Sequence, residues 1–122
     1  MNAQEFVRAI KIAVQTSAAN GLLQALNSPP GRPPSSALVK LSQWFKELPE
    51  PDQENVRAIV RMTSEANTYN FLAVLDGLIA IEPVGVKGKL ELFYHKDHGR
   101  VLLNDPSSKD LTARFKDSDH VD

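Results

Sequence analysis

Residues 71–81, FLAVLDGLIAI, are apolar at every position except Asp76 and Gly77 and form the longest such stretch in the chain. A helix that is apolar nearly all round must be buried on several sides. This run is also far short of the roughly 20 residues that cross a bilayer, so it predicts a buried central element. Leu78 and Ile79 follow Val74 and Leu75 at i+4, which predicts a helix continuing past Gly77. The rival reading breaks the run at Asp76-Gly77, a turn signal, and makes 78–82 a strand. On the helical reading Asp76 has Leu72, Ala73, Ile79 and Ala80 as its neighbours. A carboxylate so placed reaches an edge, bonds backbone N–H groups or a basic side chain of a following element, or serves chemistry. Gly77 costs helix propensity, and close packing of another element would account for it.

Around this run the chain is long enough for one modest core. A single α+β domain is expected over 1–116, followed by an acidic, disordered tail at 117–122. The sequence is 42% hydrophobic and 24% charged, which excludes wholesale disorder. A net charge of −1 gives no global attraction to nucleic acid or to acidic membranes. The absence of cysteine removes disulfides, thiolate nucleophiles and zinc–cysteine sites, and fits a reducing compartment. Glu5, Arg8 and Lys11 interrupt the apolar residues near the N-terminus, so no secretory leader is read there. A cytoplasmic protein is expected.

Asn2 and Glu5 have the spacing of a capping box, with Met1 and Phe6 placed as a hydrophobic staple. Phe6, Val7, Ile10, Ala13 and Val14 then predict an amphipathic helix, and Leu22, Leu23 and Leu26 a second one. NSPPGRPPSS, residues 27–36, forbids a helix interior and reads as a stiff loop ending at Ser35 or Ser36 as the next N-cap. Leu38, Leu41, Phe45 and Leu48 make a third helical stripe with Trp44 at its edge, and Pro49 ends it. Pro51 opens a further helix with Val56, Ile59 and Val60 on its apolar face. The architecture predicted is therefore three or four N-terminal helices, one antiparallel hairpin and a short C-terminal helix. Asp105-Pro106 starts that last helix on this reading, and Leu111 and Phe115 pin it.

The hairpin is read at about 89–96 and 100–104. A two-residue His98-Gly99 loop would pair Asp97 with Arg100 and Tyr94 with Leu103. It places Leu92, Tyr94, Val101 and Leu103 on one face and gives the tip an opposite-charge pair. A three-residue loop would set Lys96 against Arg100, which repel. His95 then faces away from Tyr94 while His98 sits in the turn. The two imidazoles diverge, unlike the convergent donors that a metal requires. No metal site and no cofactor is called for.

The run FLAVLDGLIAIEPVGVKGKLELFYHKDHGRVLLNDP resembles small uncharacterised bacterial α+β proteins over about the last half of the chain. Compact α+β proteins of this size include immunity proteins that neutralise a cognate toxin. The resemblance thus implies a protein-binding role and carries over no catalytic residue. The leading expectation is a non-enzymatic immunity protein, inhibitor or adaptor. It would bind a protein partner through Trp44, Phe93, His95, Asp97, His98 and Arg100, with few anchors contributing most of the energy. Homodimerisation is left open, and no membrane contact is expected. The rival class is a small hydrolase or lyase using Asp76, His95 and Asp105, which requires those groups to converge. Nucleic-acid binding ranks third, because the scattered basic residues lack aromatic interleaving.

Overall fold

The computed structural model describes residues 1–120, with the backbone alone at His120. It has the predicted α+β order of helices, one two-stranded antiparallel hairpin and a short terminal helix. Among the described residues no helix is long and apolar enough to cross a membrane. Contacts group the chain into two compact units, Met1–Ile12 with Asn67–Asp122, and Ala13–Ala66.

Helix α1 (Ala3–Ile10) begins where the sequence places it, with the Glu5 N–H donating to Asn2 Oδ1 at 2.8 Å. It passes through a π-helical stretch, Lys11–Thr16, directly into α2 (Ser17–Asn27). The two predicted helices are thus continuous in backbone, joined by a π-helical stretch and not separated by a break. The Ser64 hydroxyl donates to the Gln15 carbonyl within it at 2.6 Å. The proline loop turns at Gly31–Pro34, and Ser35 caps α3 (Ser36–Glu47) through the Leu38 N–H.

In the Ala13–Ala66 unit, α3 packs on α2 with Phe45 of the predicted stripe buried and Leu38 and Leu48 partly so, but with Ser42 in the place expected of Leu41. Leu41 is 51% exposed, whereas Ser42 and Phe45 are buried with Ala19 and Leu26. A hydroxyl accounts for the difference, since Ser42 Oγ donates to the carbonyl of Leu26 at 2.5 Å. A small residue that can satisfy a helix-end carbonyl permits close approach where leucine would not. Helix α4 (Glu50–Leu75) starts beside Pro51 and continues without a break through both apolar patterns. Its Gln53 amide donates to the Phe45 carbonyl at the end of α3. Arg57 pairs with Glu50 and Glu54 and lies over the Phe45 ring.

In the other unit, Val7, Leu72, Leu111 and Phe115 form the core, with Ala3, Phe6, Tyr69 and Leu75 packed around it. Tyr69 meets Phe115 edge to face at 5.9 Å between centroids. The half of the apolar run up to Leu75 is therefore helical, and Leu72 and Ala73 are buried, but Phe71 is 64% exposed, so the helix is covered on one side and not all round. The continuation is not helical, because α4 stops at Leu75. Gly77 adopts φ +78°, its N–H donates to the Val74 carbonyl, and the Leu78 N–H donates to the Ala73 carbonyl. These are the paired bonds of a Schellman stop, which needs a left-handed residue just past the helix. No heavy atom lies within 4 Å of where a Gly77 Cβ would stand, so backbone conformation and not close packing demands the glycine. Residues 78–82 are consequently neither helix nor strand, and Leu78, Ile81, Val84 and Val86 lie exposed.

The strands are β1 (Phe93–Lys96) and β2 (Gly99–Leu102), shorter than expected, with Tyr94 opposite Val101 and His95 opposite Arg100. The turn is Asp97-His98, with Asp97 at φ +56°. The predicted register is therefore wrong by two residues, and the Asp97–Arg100 pairing is not made. Aspartate tolerates the left-handed conformation, which frees Gly99 to close the ladder. A slip of two keeps every side chain on its face, so Leu92, Tyr94, Val101 and Leu103 still share one side.

After β2, Asp105 and Pro106 lead into a turn, and helix α5 (Leu111–Asp117) starts later than predicted. Leu111 and Phe115 do pin it, at 1% and 2% exposure. The tail read as disordered from Asp117 instead continues as a helical turn, Ser118–His120. Lys11 pairs with Asp119, and Lys109 with Asp117. Val121 and Asp122 lie outside the described residues.

The Schellman stop carries a stability test. Gly77→Ala places a Cβ in a left-handed conformation and is expected to cost about 1 kcal/mol. Gly77→Asn should cost less, and chemical denaturation of the three proteins reads the order.

Candidate functional site

Asp76 is the last residue of the α4 stop, and its carboxylate is half-buried against α5. Oδ1 accepts from the Leu111 N–H at 3.0 Å, and Oδ2 accepts from the N–H and hydroxyl of Thr112, both at 2.9 Å. These donors are the unsatisfied first turn of α5, where Asp110 occupies the capping position without making a side-chain bond. Asp76 thus caps a helix 35 residues away in sequence. This is the backbone-bonding role the sequence allows for it.

Asp105 is occupied differently. Its Oδ1 accepts from the Ser107 N–H at 2.9 Å and from the Ser107 hydroxyl at 2.7 Å. Those two bonds, the backbone one foremost, hold its carboxyl below the ordinary value of 3.8. His95 stands exposed on β1. Asp76 serves α5, Asp105 its own turn and His95 the hairpin, and no hydrogen bond among the described residues joins the three. The described residues also contain no group of three or more His, Asp or Glu placed to hold a metal ion.

Asn104, to which the sequence pattern assigns no role, is buried and central to the hairpin's support. Its amide Nδ2 donates to the carbonyls of Leu75 at 2.7 Å and Leu90 at 2.9 Å, and its Oδ1 accepts from the Leu92 N–H at 2.8 Å. The side chain therefore replaces a stretch of strand, extending the ladder beyond Leu103 and tying it to the end of α4. A buried amide beside a leucine that ends a strand was the available signal, because such a group needs several partners.

The hairpin anchors separate into two sets. Phe93, His95, Arg100 and Leu102 share the face opposite Tyr94. The Arg100 guanidinium lies 4.4 Å from the centroid of the Phe93 ring, and the Phe93 and His95 rings are 6.2 Å apart. Arg100 makes no ion pair among the described residues, so its charge is held by an aromatic face and open to solvent. Asp97 and His98 form the exposed tip. Trp44 belongs to the Ala13–Ala66 unit and is 51% exposed. Five of the six proposed anchors are thus brought to one hairpin face or its tip with Phe93 only partly covered, and His95 and Arg100 are direct cross-strand neighbours.

Replacing Asp76 by Ala should destabilise the protein by roughly 2–3 kcal/mol, the loss of a helix cap plus charge-assisted bonds. Amide exchange should accelerate first at Leu111 and Thr112. Asp105 titrates with the opposite consequence from a buried acid. Its lowered value means that its stabilising contribution is complete above the unfolded value and is lost as pH falls through the folded one. Carbon-detected NMR titration should find the Asp105 carboxyl below 3.8, and Ser107→Ala should move it upward. No family model, curated protein or solved structure matches this chain, so its geometry is the ground for a functional reading.

Proposed function

We propose that the chain is a non-enzymatic protein-binding module of the immunity, inhibitor or adaptor kind, working in the cytoplasm. The observation that supports this reading is the exposed hairpin face on which the Arg100 guanidinium lies over the Phe93 ring beside His95. An arginine held over a ring has less rotamer freedom left to lose, so docking a partner costs less side-chain entropy. Aromatic and arginine side chains of this kind dominate binding energy at protein interfaces. Arg100 without an ionic partner favours an acidic group on the bound protein. Trp44 supplies a second exposed anchor on the other unit.

The acid/base alternative built on Asp76, His95 and Asp105 gains no support from this geometry. Asp76 has its carboxylate oxygens engaged by α5, and Asp105 is engaged by Ser107.

The test compares affinity capture by the tagged wild-type chain with capture by a Phe93→Ser/Arg100→Ala variant. A stoichiometric partner should be retained by the first and reduced at least about tenfold with the second, because each anchor contributes on the order of 1–2 kcal/mol. Circular dichroism melting should be nearly unchanged. Equal retention by both chains, or no retained protein, overturns the reading.

A further inference from the structure

The hairpin has an edge as well as a face, and that edge carries a self-complementary pattern. Lys96↔Gly99 closes a two-residue turn and is therefore a hydrogen-bonded pair. Alternation makes Tyr94↔Val101 the next such pair, and Leu92 continues the series by accepting from the Leu103 N–H at 2.8 Å. Asn104 then takes the Leu92 N–H and the Leu90 carbonyl. The even-numbered residues thus direct their backbone groups into the hairpin. By the same alternation Lys89, Glu91, Phe93 and His95 direct theirs to the opposite edge. No backbone bond to that edge is made among the described residues. Lys89, Leu90 and Glu91 are exposed there, and Val86, just before, is fully so. An unpaired edge flanked by apolar side chains is a template for another strand.

We propose that the occupant is a second copy of this chain, paired antiparallel across a two-fold axis at Leu90. The outward-pointing odd residues must face one another as hydrogen-bonded pairs, which leaves few registers. An axis at Leu90 sets Lys89 against Glu91 and Glu91 against Lys89, so each dimer contains two opposite-charge pairs. It also sets Leu90 against Leu90 and Leu92 against Gly88. An axis at Glu91 or at Lys89 opposes like charges at its centre. One at Leu92 opposes Lys89 to His95 and Glu91 to Phe93. Only the Leu90 register among these pairs both charges while setting Leu90 and Leu92 against an apolar side chain or glycine, with Lys87 falling opposite Phe93. The contact is isologous, so it closes at two copies and does not propagate. It uses the edge of the strand and leaves the Phe93–Arg100 face accessible, and is therefore independent of the partner reading above.

Sedimentation of the wild-type chain over a concentration series tests the idea, together with three variants. Lys89→Glu and Glu91→Lys should each weaken the dimer by about tenfold or more, since each creates two like-charge contacts. The double exchange K89E/E91K restores both pairs and should recover wild-type association. The sequence has no cysteine, so Leu90→Cys offers a clean second readout. Facing residues in a non-hydrogen-bonded pair stand about 4.5 Å apart at Cα, within disulfide range. Mild oxidation should convert this variant to a covalent dimer, while Lys89→Cys cross-links poorly. A chain that stays monomeric into the hundreds of micromolar overturns the proposal. A dimer that ignores both charge reversals overturns it equally.

Discussion

The carboxylate of Asp76 is the joint on which one of the two units is assembled. It stands at the C-terminal end of α4, where the helix dipole disfavours negative charge by about 0.3–1 kcal/mol. It also stands at the N-terminal end of α5, where the same effect is favourable and three donors point at it. A single hydrogen bond to an ionised group contributes on the order of 1.5–3 kcal/mol, which already exceeds the dipole cost, so the second environment wins. Because α5 has only seven residues, too few for an isolated helix to persist in water, its place depends on this cap and on the burial of Leu111 and Phe115.

Gly77 makes that geometry available. Its left-handed conformation ends α4 within one residue of Asp76 and turns the chain away before Leu78. Extending the helix would continue the apolar surface, but at the loss of the stop that presents the carboxylate to α5. The apolar residues beyond Gly77 are left exposed, and they lead into the edge from which a second copy is inferred to pair.

Asn104 performs a related task for the hairpin. Two strands of four residues are marginal by themselves. By bonding Leu75, Leu90 and Leu92 at once, the buried amide attaches the hairpin to the end of α4. The Phe93–Arg100 face is thereby mounted on a supported ladder. A face held in this way can offer a prearranged surface to a partner.

Local rules sufficed for much of this protein. Periodicity located the helices and the hairpin, Asn2 and Ser35 capped as their types predict, and two-residue alternation assigned the hairpin faces even though the register was off by two. Those features depend on backbone stereochemistry and on neighbours within a few residues. Tertiary contact decided the rest. The hydroxyl of Ser42 gave that residue the buried place on α3 expected of Leu41, and Asp76 found its donors 35 residues away. Asn104 completed a ladder that strand propensity alone ends sooner. In each case a polar group had to satisfy its hydrogen bonds across the fold, and a linear pattern contains the need for a partner without its address.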